Sequence, residues 1–215
     1  MITVCRPYTA YVYQIYGSPS KITGKYPELL STQFPSAARF CSLEYHPWYL
    51  PESFSPLPEH IGNTLPDFTA LGEVGLDRLR GPALQVQMQY LSALLSLAQD
   101  CRKPVILHVV RALPELFSLL KKHKLQWVIH GFRGKADALE AIWQHGGIVS
   151  FHPQAVERRD LMEKLAAPDG KFGFESDDNA DIDLEHVITM AADRSGNCDL
   201  PQLAAAAFGE ITSEQ

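Results

Sequence analysis

The stretch PVILHVVRALPELFSLLKKHKLQWVIH, residues 104–130, decides how the chain folds. It opens with Pro104-Val-Ile-Leu-His108 and closes with Gln126-Trp-Val-Ile-His130, two short apolar runs that each stop at a histidine. Between them, Leu113, Leu116, Phe117, Leu119 and Leu120 recur at helical spacing. A short run of apolar residues without polar alternation reads as a strand buried on both faces. Strand, helix and strand joined by short turns make a parallel βα unit. Working outward, Thr69-Ala-Leu-Gly-Glu73 reads as the preceding strand and residues 82–101 as the helix that follows it. Downstream come a helix at 135–145, a strand at Ile148–Phe151, a helix at 158–166, a strand at 172–175, and helices near 183–194 and 199–208. The expected fold class is α/β, a TIM-type (β/α) barrel occupying residues 1–215 as one domain.

The first 68 residues are less regular. Ala10–Tyr16 and Ala38–Leu43 read as strands, and the prolines at 47, 51, 56, 58 and 66 make 47–66 a loop with at most one short helix. At 215 residues the chain is also short for a complete barrel, which takes about 250. An irregular first strand is therefore expected.

Four apolar runs finish in side chains that bind metals: Glu73, His108, His130 and, in Lys171-Phe-Gly-Phe-Glu-Ser-Asp177, Asp177. In a parallel barrel the carboxyl ends of the strands share one face, and catalytic residues collect there. Two imidazoles and two carboxylates suit zinc, manganese, magnesium or a similar divalent ion. After His130, Gly131-Phe-Arg-Gly134 reads as a tight, glycine-flanked turn that a substrate can approach closely.

Composition narrows the function classes. A net charge of −6 argues against a broad electrostatic surface for nucleic acid, although it leaves room for a local one. The four cysteines are scattered with no C-x-x-C pair, so neither a disulfide framework nor a zinc ribbon is expected. No apolar stretch approaches the roughly 18 residues of a membrane span, and no leader pattern opens the sequence. The expected setting is cytoplasmic, with no obligate protein partner.

The ordered set His46-Pro-Trp48, Gly72-Glu-Val-Gly-Leu-Asp77, Val105-Ile-Leu-His108, His130-Gly-Phe-Arg-Gly134 and Glu175-Ser-Asp177 resembles the TatD-related metal-dependent hydrolases over roughly residues 40–210. The resemblance implies a distorted α/β barrel and a deoxyribonuclease-like or phosphodiesterase-like activity using one or two divalent ions. It implies Glu73, His108, His130 and Asp177 as metal ligands, with His46 lining the pocket. The family's first strand ends in His-x-His, and no such pair occurs in this chain; Thr3 and Cys5, in Thr3-Val-Cys-Arg-Pro7, stand where it would fall.

The expected chemistry is hydrolysis of a phosphoester, with DNA among the candidate substrates. Asp177 would take the proton of the attacking water and Glu73 would hold the ion. Arg133, Arg111 and His46 are the candidate substrate contacts. Two other readings stay open: an inactive TatD-like barrel that serves as a binding protein, and a one-metal, amidohydrolase-like enzyme for a small amide or lactone.

Overall fold

The computed structural model describes residues 2–8, 12–16, 40–177 and 182–213. The chain divides into two compact units, one of Met1–Cys5 with Gly17–Trp127 and the other of Arg6–Tyr16 with Val128–Gln215.

In the first unit, the strands β1 (Ile2–Tyr8), β3 (Phe40–Leu43), β4 (Ala70–Asp77) and β5 (Val105–Val110) are neighbours in that order. β3, β4 and β5 run parallel, as buried apolar runs linked through helices should. All eight residues of β4 are buried. The connecting helix α2 (Leu84–Asp100) covers β4 with Tyr90, Leu91, Leu94, Leu95 and Ala98, the face set by its 3.6-residue period. Each large side chain buried there contributes about 1.5–3 kcal/mol. The proline-rich segment folds as the 3-10 turn Pro47–Tyr49, the short helix α1 (Glu59–Thr64) and a second 3-10 turn at Leu65–Asp67. Helix α3 (Leu113–Leu120) follows β5.

β1 is the irregular strand, and its irregularity is one of direction. It pairs antiparallel with β3, with Ile2 opposite Leu43 and Cys5 opposite Phe40. Cys5 therefore stands level with the amino end of β3, away from the end that leads to His46.

In the second unit, β2 (Val12–Tyr16), β8 (Phe172–Glu175), β7 (Ile148–Phe151) and β6 (Trp127–Phe132) are parallel neighbours in that order. Helices α4 (Ala136–Gln144), α5 (Arg159–Leu165), α6 (Leu184–Ser195) and α7 (Leu200–Ser213) alternate with or follow them. Phe151, Phe172 and Phe174 are fully buried and meet at ring separations of 5.7–6.2 Å, an aromatic core beneath the ends of β7 and β8.

Two strands carry an extra residue where the sequence places candidate ligands. On β4, Leu71 pairs with Val105 and Val74 with Leu107, so Gly72 and Glu73 together face the single residue Ile106. On β6, Ile129 pairs with Val149 and Phe132 with Phe151, so His130 and Gly131 together face Ser150. Such bulges re-aim side chains without ending the strand. The segment from Gly131 consequently continues β6 through Phe132, where a turn was expected. Close strand approach explains the glycines beside Glu73. A Cβ on Gly72 would sit 2.5 Å from Ile106 Cβ, and one on Gly75 would collide with the carbonyl oxygen of His108.

Gly75→Ala must therefore push β5 away from β4. It should cost at least about 2 kcal/mol in a denaturant titration, through overpacking in a site that cannot relax. A loss under about 0.5 kcal/mol, the size of an ordinary surface change, would contradict the strand spacing described.

Candidate metal centre

In the first unit the site is built from the carboxyl ends of β4 and β5 and the segment after β3. Tyr45 N–H donates to the Glu73 carbonyl at 3.0 Å, which brings the next residue, His46, beside the Glu73 side chain. His46, Glu73 and His108 each offer a ligand atom, all within 4.8 Å of one another. Glu73 Oε2 lies 3.6 Å from His46 Nε2 and 4.0 Å from His108 Nδ1. Two atoms each about 2.1 Å from a common ion stand about 3–4 Å apart, so the spacing suits a divalent cation.

Hydrogen bonding on the far side of each ring decides what each histidine can do. Asp77 Oδ2 lies 3.1 Å from His108 Nε2. Burial alone would raise the Asp77 pKa, but hydrogen bonds from the Trp48 indole, the Leu79 amide and His108 outweigh it and hold the carboxyl below its ordinary value. An ionised carboxylate only accepts, so His108 donates through Nε2, and its Nδ1 faces Glu73. His46 is opposite. Its Nδ1 accepts the Trp48 backbone N–H at 3.2 Å, capping the 3-10 turn, so the neutral ring carries its proton on Nε2. Proximity makes His46 a candidate ligand, but its hydrogen bonding makes it a donor, and the donor role follows from the chemistry.

Trp48 and Asp77 organise the first unit's cluster. The indole N–H donates to Asp77 Oδ2 at 2.6 Å, and the ring meets His46 and His108 edge-on at centroid separations of 4.7 and 5.4 Å. Asp77 Oδ1 also accepts the amides of Leu79 and Arg80. The buried Gln87 accepts the Asp77 N–H at 2.7 Å and donates to the carbonyls of Asp77, Arg80 and Pro82.

The second unit repeats the device. Glu175 is fully buried at the end of β8, and its Oε1 accepts the Gly131 N–H at 2.8 Å. The same oxygen faces His130 Nδ1 at 3.4 Å. Burial raises the Glu175 pKa against the opposing pull of His130. A proton on Glu175 would sit on Oε2, which has no hydrogen-bond partner among the described residues, and would leave Oε1 an acceptor. Oε1 accepts in either state, so Nδ1 is the nitrogen through which His130 would donate to it. Asp177 follows two residues after β8 with φ +54°, a left-handed conformation that aspartate adopts more readily than most residues. His130 and Asp177 offer ligand atoms within 4.8 Å of each other.

Comparison with known proteins gives this arrangement a context. The model of the TatD-related DNase family matches residues 25–180. The chain belongs to the TatD-related DNase family. The fold is similar to a hydrolase TatD family protein from Entamoeba histolytica, with TM-score 0.60 and 14% identity over 71% of this chain and 66% of that one. It is also similar to YjjV, a TatD homologue from Escherichia coli K12, with TM-score 0.56 and 25% identity over 73% of this chain and 68% of that one. The chain thus spans about two thirds of the length of each structure, and just under two thirds of the first. No curated protein sequence matches significantly. The fold class is the expected α/β barrel of TIM type. The family match begins after Thr3 and Cys5.

Within this TatD-related chain the remaining candidates fall into place. Arg111 is exposed, in a left-handed conformation, before α3 rather than on it, and its carbonyl accepts the Arg78 Nε–H at 2.9 Å. Arg133 is exposed and donates to Gln154 at 3.2 Å. His152 caps the Pro153–Glu157 turn through Nδ1, as His46 caps its own. Sequence reasoning reads Asp77 as a residue that hydrogen-bonds a neighbouring loop, as it does at Leu79 and Arg80, but missed it as the partner of His108, and missed Trp48 and Glu175 as parts of the site. For the two acids the signal was position at a strand end: Asp77 closes β4, which lies beside the His108 strand β5, and Glu175 closes β8, two strands from the His130 strand β6.

Asp77→Asn should lower stability at neutral pH by about 1–3 kcal/mol, since it weakens an acceptor that serves four donors. Because the folded pKa is depressed, this stabilisation is fully present above the unfolded value near 4 and disappears as pH falls through the lower folded value. Urea midpoints from pH 7 to pH 2.5 should show the variant less stable at neutral pH and the two proteins converging in acid. Parallel profiles would contradict the assignment.

Proposed function

We propose that this chain is a divalent-metal-dependent hydrolase of phosphoester bonds, with DNA as a candidate substrate. Residues 1–215 would serve as one hydrolase domain in the cytoplasm. Its metal ligands would be Glu73, His108, His130 and Asp177, and Arg133, Arg111 and His46 would contact the substrate. The observation that carries the reading is the placing of the two histidines: each has a strand-end carboxyl group against one ring nitrogen, an arrangement that orients an imidazole toward a cation on its other side. Membership of the TatD-related DNase family supports it. Among the described residues no helix is long and apolar enough to cross a membrane.

The bound ion, zinc, manganese or magnesium, would supply an activated water and polarise the phosphoryl group. Asp177 would accept the proton of the attacking water. His46, with its proton on Nε2, would donate to a phosphate oxygen. Glu73, nine-tenths buried between His46 and His108, would fix the site's negative charge.

A second reading, a binding protein that has lost turnover, is favoured by one feature. The sequence lacks the family's His-x-His, and Cys5 is aligned with the far end of β3.

Bis-(p-nitrophenyl) phosphate hydrolysis by chelator-stripped protein reloaded with zinc, manganese or magnesium separates the two. The hydrolase reading expects turnover that needs the metal, its abolition in Glu73→Gln, and a roughly 10²–10⁴-fold lower kcat in Asp177→Asn. Metal uptake without turnover, for phosphodiesters and oligonucleotides alike, would favour the binding protein.

A further inference from the structure

We propose that Arg80 is a substrate-phosphate contact: a guanidinium pre-positioned on Trp48 to hold a phosphate of single-stranded DNA beside the His46–Glu73–His108 cluster. The proposal rests on the phosphoester reading above and adds a specific anchor to it.

The loop Arg78–Gly81, between β4 and α2, is fixed more firmly than an exposed loop requires. Arg80 N–H donates to Asp77 Oδ1 at 3.2 Å, and the Arg80 carbonyl accepts from the buried Gln87 at 3.0 Å. Gly81 packs so closely on the Pro47 carbonyl and Trp48 that no side chain fits at that position. With its backbone held on both sides, Arg80 lays its guanidinium over the Trp48 ring, 4.4 Å from the centroid. The same indole touches both His46 and His108.

Charge in this loop is unevenly compensated. Arg78 is paired with Glu115 at 2.5 Å and bonded to the Arg111 carbonyl. Among the described residues no carboxylate lies within ion-pair distance of Arg80. An exposed cation–π stack contributes about 0.5–1 kcal/mol, less than the roughly 2 kcal/mol of rotamer entropy an arginine side chain carries. A bound anion would add to what the stack supplies. A guanidinium resting over a ring still has its N–H fork to offer, the group that binds phosphate in bidentate fashion. Leu79, the preceding residue of the same loop, is 60% exposed and adds an apolar surface to it. A chain of net charge −6 then needs no broad basic face to hold a short single strand.

The test is binding of a fluorescein-labelled octathymidylate with an all-phosphorothioate backbone, which resists hydrolysis, to the protein as purified, followed by anisotropy across KCl concentrations. Wild type should bind with salt dependence. Arg80→Ala should weaken binding about tenfold and lower the slope of log affinity against log salt by about 0.7, one phosphate contact on a single strand. Arg80→Lys should keep the slope but recover only part of the affinity, because the flat fork and the stack are lost. With unmodified oligonucleotide, Arg80→Ala should raise KM and leave kcat within about twofold. A protein without turnover that still shows Arg80-dependent binding supports this proposal while defeating the hydrolase reading. Unchanged affinity and slope in Arg80→Ala, or no salt-dependent binding by wild type, would overturn it.

Discussion

The carboxylate of Asp77 is the constraint from which the first unit's cluster follows. It accepts from the Trp48 indole, the amides of Leu79 and Arg80, and His108. One buried anion thus sets the pose of an aromatic platform, the course of a loop and the proton position of an imidazole. A buried charge is expensive unless it is bonded on every side, and here its bonding partners are the groups that shape the site. Glu175 plays the matching part for His130, although burial pushes its carboxyl toward the neutral form, and the Gly131 amide keeps Oε1 an acceptor in either state.

Backbone irregularity completes the arrangement. A regular strand alternates its side chains, so Glu73 and His130 would have their directions dictated by the sheet. The bulges at Gly72-Glu73 and His130-Gly131 free those directions while the ladder resumes at Val74 and Phe132. Each bulge contains a glycine because the second backbone is too near, as at Ile106, or because φ is positive, as at Gly131 with +62°. The motif spelled Gly-Glu-Val-Gly is therefore as much about strand spacing as about the carboxylate.

The sequence makes legible whatever depends on local pattern. β7 and β8 occupy the residues expected of them, since an apolar run buried on both faces leaves little doubt about its limits. β5 and β6 run two residues beyond His108 and His130, to Val110 and Phe132, because polar side chains at a strand end do not stop backbone pairing. The antiparallel direction of β1 has no sequence signal, for strand propensity is blind to direction. Asp77 and Glu175 escaped notice as partners of the histidines because those bonds depend on register between strands about 30 and 45 residues apart. Trp48 reads as packing in the sequence because nothing local marks its N–H as the bond that holds Asp77. His46, read from its His-Pro context, does lie against Glu73, while Arg111 and Arg133 turn to the exposed ends of β5 and β6.

The account stands or falls on where two protons sit, and long-range ¹H–¹⁵N correlation spectra of the metal-free protein at neutral pH read them directly. The Nε2–H tautomer for His108 and the Nδ1–H tautomer for His130 are expected, and adding zinc should perturb the opposite nitrogen of each ring. The reverse tautomers, or rings whose opposite nitrogens ignore zinc, would contradict the claim that strand-end carboxylates prepare these histidines to hold a cation.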